Sequence, residues 1–218
     1  MTQKRKLNLL NGQAMYDYFK MTHFLNEETI IPFNEAMCYG DTSLELFTDE
    51  FSFIRAKVHH VTPEHYSDNT LKPLKPFFNK DFDQLAFCFD EDMFCQINVL
   101  TLLAWLDLTD YKDIIELNIV GDRFEFKERF TLTAEGYYSI YKQVLIQKRY
   151  PSSILPAPLK NGIELYLTYL KKDSELTQFI QRFKDVPERD LVLKLIKEFK
   201  EYGLGDTQYQ EMIRANRP

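Results

Sequence analysis

The amino-acid sequence predicts an α/β fold: a Rossmann-like parallel sheet covered by helices over residues 1–150, followed by an α-helical part over 151–218. Three observations carry this expectation. Short apolar, β-rich runs alternate with stretches of helical periodicity, the pattern of repeated strand–helix units. One of those units, Leu85–Leu106 (LAFCFDEDMFCQINVLTLLAWL), reads as strand, acidic turn and buried helix. Beyond Tyr150–Asn161 (YPSSILPAPLKN), which carries three prolines, every segment is helical in pattern, so this stretch reads as a border.

The elements follow in order. Lys6–Leu10 is a short strand ended by Asn11-Gly12, a strong turn signal. Gln13–Leu25 has apolar residues at helical spacing: Met15, Tyr18, Phe19 and Leu25. Thr29–Phe33 (TIIPF) is a second β-rich run, and Pro32 places it at an edge or a strand end. Asn34–Asp41 is a loop or short turn ending in Gly40-Asp41. Ser43–Lys57 reads as a helix with Leu44, Phe47, Phe51 and Ile54 on one face. Tyr66–Asp83 is a connection of little regular structure, or a helix pair interrupted by Pro73 and Pro76. After the central unit, Ile114–Val120 is a further strand ended by Gly121-Asp122. Phe124–Phe130 is a short strand or irregular, and Thr133 is an N-cap for a helix through Leu145. In the C-terminal part, Ile163–Leu170 forms a helix and Ser174 caps a second. Pro187 opens a third with Leu191, Leu193, Leu195, Ile196 and Phe199 inside, and Asp206 caps a last one.

Composition narrows the function classes. With 44% apolar and 28% charged residues the chain has an ordinary globular make-up. Seven glycines, and neither a GxGxxG nor a P-loop spacing, weigh against a glycine-rich phosphate cradle. Residues 1–150 carry a net −7 and residues 151–218 a net +1, so neither part has the basic footprint of a nucleic-acid binder. Cys38, Cys88 and Cys95 have no CxxC spacing and read as reduced, buried thiols. No apolar run reaches membrane-spanning length without charge, and the basic start is not followed by a signal-peptide core, so the expected location is the cytoplasm. His59 and His60 are adjacent and His65 follows at no recognised ligand spacing, which favours surface or capping roles.

In a parallel α/β sheet the strand-to-helix turns share the C-terminal edge, where ligands bind. Three turns then converge: Asn11–Gln13, Asn34–Gly40 and Asp90–Gln96. Asp92 and Gln96, four apart, share one helix face. Carboxylates at a helix start cancel the potential that attracts a free anion. The acidic turn therefore suits a hydroxyl-rich ligand, an amine, or a phosphate chelated by a divalent ion such as magnesium. In that reading Asp90 and Asp92 hold the ion or serve as acid and base. Asn11, Gly12, Gln13, Glu35 and Gln96 contact the ligand, and Arg55 meets an anionic group. The same residues read equally as helix caps and solvated turn positions.

Three pieces, LNLLNGQ, TIIPFNEAMCYGD and FDEDMFCQINVLTLLAWL, together with the closing YGLGDTQYQEMI, resemble the bacterial domain-of-unknown-function family numbered 1835. Asn11 and Gly12 match its asparagine–glycine turn, Glu35 and Gly40 its second segment, and Asp92, Phe94 and Gln96 its helix start. The chain departs from the pattern at Phe33-Asn34, where an aromatic–arginine pair is common, and at Gln13, where an acid is common. The resemblance implies an α/β N-terminal part and a helical C-terminal part, and no activity. The leading expectation is a small polar or phosphorylated ligand, a nucleotide or sugar phosphate with its ion, bound at the sheet edge. The alternative is a non-catalytic interaction or regulatory protein that docks through its helical C-terminal part.

Overall fold

The computed structural model describes residues 5–217, and the basic start of the chain up to Lys4 lies outside them. Its sheet has five strands: β1 (Lys6–Asn11), β2 (Thr29–Phe33), β3 (Gln84–Phe89), β4 (Ile115–Val120) and β5 (Phe126–Leu132), in the order β2-β1-β3-β4-β5. The first four are parallel, with Leu9 in register with Ile31 on one side and Phe87 on the other. β5 is antiparallel to β4, which corrects the expectation of an all-parallel sheet. The reason is the length of the connection. Gly121–Glu125 is a tight turn, closed by Gly121 N–H on Glu125 O at 2.8 Å, and a parallel return needs a crossover of a dozen residues or more. Pro32 lies in the edge strand β2, where its missing N–H costs no ladder bond.

Helix α1 (Gly12–Thr22) starts directly after β1, with Gly12 at φ +82°, the left-handed conformation that glycine adopts without strain. Helix α2 (Asp49–Val58) is shorter than the expected 43–57. Thr48 is its N-cap, accepting from Phe51 N–H at 3.3 Å, and Asp49 and Glu50 favour its positive end. Phe47 just before it has φ +59°, so no helix passes through it, and Leu44 stands exposed. Residues 63–78 form the interrupted alternative, with α3 (Pro63–Tyr66), a π-helical turn (Ser67–Leu71) and α4 (Lys75–Phe78).

Helix α5 (Met93–Leu108) is the buried helix expected, with twelve of its sixteen residues buried. An apolar helix of this kind needs cover all round. The sheet, α6 (Tyr137–Tyr141) with its π-helical extension to Ile146, and α7 (Ala157–Tyr169) supply it. Thr133 does not cap α6. The helix starts after Gly136, and Asp107 at the end of α5 accepts from Tyr138 N–H at 3.0 Å, so the cap comes from a tertiary neighbour.

The C-terminal part adds α8 (Glu175–Arg182), α9 (Glu188–Glu198), a 3-10 turn (Lys200–Tyr202) and α10 (Asp206–Asn216). Ser174 caps α8 as expected, accepting from Thr177 N–H at 3.3 Å. Gly205, not Asp206, is the N-cap residue of α10. In α9 the inward residues are Leu191, Val192, Leu195 and Phe199. Leu193 is 60% exposed and Ile196 40%, against expectation, because the buried face follows the helical i, i+1, i+4 spacing rather than every apolar residue. One continuous apolar core runs from β3 and α5 through Ile163 and Tyr166 to Leu176, Leu195 and Ile213. No described helix is long and apolar enough to cross a membrane, and the three cysteines are free and buried.

Candidate functional site

The three expected turns meet at the C-terminal edge of the sheet, and a residue not singled out in the sequence, Asn98, joins them. It lies one turn into α5, fully buried. Its Oδ1 accepts from Met37 N–H at 3.0 Å, and its Nδ2 donates to Glu35 O at 2.7 Å and to Asn11 Oδ1 at 3.1 Å. Asn11 in turn donates to Cys95 Sγ at 2.9 Å. The available signal was an amide within an otherwise apolar helix, since a buried polar side chain is kept only with partners.

At the end of β2, Glu35 and Arg55 are not open to a ligand. Both side chains are fully buried and face each other, with Arg55 donating to Glu35 Oε1 at 2.7 Å. The guanidinium also donates to the carbonyls of Ala36, Tyr39 and Asp41 at 2.7–2.9 Å, which ties the 35–41 loop to α2. Glu35 further accepts from Ala36 N–H at 2.7 Å and from Tyr66 OH, and its Oε1 lies 2.6 Å from His59 Nε2. Burial alone would raise its carboxyl, but Arg55 and the His59 hydrogen bond bring it down to about 2, so it is a carboxylate. The expected anionic partner of Arg55 is therefore internal.

At the end of β3 the arrangement is the reverse. Asp92 is the N-cap of α5, accepting from Cys95 N–H at 2.7 Å. Asp90 Oδ1 accepts from Glu91 N–H at 2.6 Å, and Asp90 O accepts from Gln96 Nε2 at 2.6 Å. No cation forms a salt bridge with either carboxylate among the described residues. Burial pushes the Asp92 carboxyl up to about 6, against the Cys95 N–H bond and reinforced by Asp90 and Glu91. Burial raises Asp90 as well. The two aspartates and Glu91 line a cleft of about 410 Å³ with Asp122 and Lys127. The C-terminal part supplies Asn161, Leu165, Lys200 and Glu201 to its rim. Gly203 packs directly on the Asp92 carboxyl group and Gly162 on the stem of Gln96, so the C-terminal helices roof this turn.

The other expected contacts divide. Gly12 adjoins open space, and Gln13 is exposed, donating to Asp17 at 2.8 Å and accepting from Asn34 Nδ2 at 3.3 Å. Gln96 is buried behind the cleft, and its Oε1 has no hydrogen-bond partner. Among the described residues no group of three or more His, Cys, Asp or Glu side chains is placed to hold a metal ion. An ion on Asp90 and Asp92 would take its other ligands from water and phosphate, as magnesium does. Lys127, Asn161 and Lys200 were not foreseen, because they reach the cleft from an edge strand and a roof far apart in sequence.

No family model, no curated protein and no solved structure matches this chain.

Proposed function

We propose that the chain binds a small phosphorylated ligand, a nucleotide or sugar phosphate, together with a divalent ion, in the cleft over the ends of β3 and β4. The observation that carries this reading is the make-up of the cleft. Asp90 and Asp92 are clustered without a salt bridge among the described residues, Lys127 acts on Asp90 from a distance, and Lys200 lines the same cleft. Carboxylates and lysines lining one cleft suit a cation bridged to an anion better than either alone. The cleft lies beside the β1–β3 reversal of the strand order, not on it, so in a Rossmann-like sheet the support comes from its position at the C-terminal edge of parallel strands. Membership of family 1835 belongs to the same proposal, since Asp92 and Gln96 are among the residues that carry that resemblance.

In this reading Asp90 and Asp92 hold the ion, and Lys127 and Lys200 meet the phosphate. Melting temperature is the test, with magnesium chloride alone, magnesium with ADP, and magnesium with glucose 6-phosphate. A ligand at a hundred times its Kd stabilises the native state by about 2.7 kcal/mol. At least one pair should raise the melting temperature more than magnesium alone, and Asp92→Asn should abolish that rise. No rise, or one untouched by Asp92→Asn, rejects the site. A second reading, a docking protein, draws support from Leu193 and Ile196. They lie three apart on one face of α9 and stand exposed.

A further inference from the structure

His59, which closes α2, is held from two directions without being enclosed. Behind it is the Glu35 carboxylate, 2.6 Å from Nε2, itself fixed by Arg55 and Tyr66. The Tyr66 ring lies nearly parallel to the imidazole, with 16° between planes and centroids 6.1 Å apart. A carboxylate only accepts hydrogen bonds, so Nε2 must carry its proton, and in the neutral ring the lone pair is confined to Nδ1. The side chain is 29% exposed, and it lines a small cleft of about 170 Å³ at the end of β2 with Asn34, His65, Tyr66, Asn69 and Thr70.

The polar groups of that cleft are sorted by their existing bonds. Asn34 Nδ2 donates to Asn69 O at 3.0 Å and to Gln13, so its Oδ1 is left as an acceptor. Asn69 Nδ2 donates to His65 Nε2 at 2.7 Å, which leaves Asn69 Oδ1 as an acceptor and puts the proton of His65 on Nδ1. Thr70 and Tyr66 spend their hydroxyl protons on Asn34 O and Glu35. What remains is chiefly acceptors: His59 Nδ1, Asn34 Oδ1 and Asn69 Oδ1.

We propose that this cleft is a second binding site, for a small molecule or group rich in hydrogen-bond donors, a hydroxyl or amine, with His59 Nδ1 as its hydrogen-bond acceptor and Glu35 as a positioning residue. The site is separate from the β3–β4 cleft and needs neither its aspartates nor a metal. Tight orientation of an imidazole by a buried carboxylate is the arrangement that fixes which ring nitrogen donates and which accepts.

The test is ring-nitrogen NMR of the four histidines during titration with glycerol, ethanolamine and, separately, inorganic phosphate. At rest His59 should show the Nε2–H tautomer. Glycerol or ethanolamine should shift the His59 and His65 ring signals saturably and leave those of His23 and His60 in place. His60 is the internal control, with its side chain 80% exposed. His59→Gln, whose amide can still donate to Glu35, should remove the His65 shift. Equal movement of all four rings, no saturable shift with either probe, or a response to phosphate alone would overturn the proposal. Should His59→Gln fail to fold, the wild-type titration decides by itself. Aspartates of the other cleft are silent in this readout, so the two proposals fail independently.

Discussion

Glu35 follows β2 and Asp92 follows β3, so both carboxylates stand at the same edge of one sheet, with β1 between them. Their surroundings differ in one respect, the supply of positive charge and donors. Glu35 has a buried guanidinium, an imidazole, a phenol and a backbone N–H, and its carboxyl falls to about 2. Asp92 has the N–H and the thiol of Cys95, two neighbouring acids and Gly203 lying over it, with no cation paired to it among the described residues, and its carboxyl rises to about 6. Position in a fold thus says little about a carboxylate's role, and the census of its partners says much more. The satisfied acid is a structural tie, whereas the under-compensated one retains the capacity to gain a partner.

The largest effect should come from breaking the satisfied side. Arg55→Met leaves Glu35 buried without its cation and frees three loop carbonyls. Removing one partner of a buried pair typically costs about 3–5 kcal/mol, and urea unfolding should show a loss of that size. A loss below about 1 kcal/mol would mean that water reaches Glu35, and the contrast with Asp92 would collapse.

The two carboxylates should also give stability opposite dependence on pH. The pKa of Glu35 is lower in the folded state than its ordinary 4.5, so its contribution is present above that pH and is lost as pH falls toward 2. For Asp92 the folded value of about 6 exceeds the ordinary 3.8, so the native state binds more protons between them. Its contribution is full below pH 3.8 and is lost as pH rises through 6, by up to about 3 kcal/mol. Asp92→Asn keeps a capping oxygen for Cys95 N–H and cannot ionise. Unfolding measured from pH 4 to pH 7 should lose that decline in the variant, and an identical decline in both proteins would show that Asp92 is solvated like any surface acid. Magnesium, if it binds, should stabilise the wild type only on the high-pH side, where it competes with no proton.

The regular part of this edge was legible in the sequence because it rests on local chemistry. Asn11-Gly12 ends a strand, Asp92 caps a helix three residues before Cys95, and Leu85–Phe89 is β-rich with no interruption. Expectations slipped where a tertiary partner decided the outcome. Asp107 caps α6 from another helix, the short turn at Gly121 reverses β5, and Leu193 faces solvent although it is apolar. The site divided in the same way. Asp90, Asp92 and Gln96 were legible as one turn. The retirement of Glu35 and Arg55 into an ion pair was not, because it needs two elements twenty residues apart to meet in the core. Asn98 and His59 were hidden for the same reason, since each acquires its role only from groups that the fold brings to it.

The smallest expected effect probes the roof. Gly203 ends the 3-10 turn at φ +63°, and a side chain there would run into the Asp92 carboxyl group. Gly203→Ala thus carries two costs, left-handed backbone for alanine, about 1 kcal/mol, and a clash that only movement of Asp92 or of the roof relieves. Serine at position 92 is also a good N-cap but shorter, so Asp92→Ser separates the two. In a double-mutant cycle followed by urea unfolding, Gly203→Ala should cost about 2 kcal/mol in the wild type and about half that beside Asp92→Ser. Equal costs in both backgrounds would mean that the roof does not rest on Asp92. Its burial, the leading cause of the raised carboxyl, would then come from elements other than the roof. A clear coupling would place the C-terminal helices among the causes of that shift. It would also make the roof the part of the molecule whose displacement most directly changes the charge of the cleft beneath it.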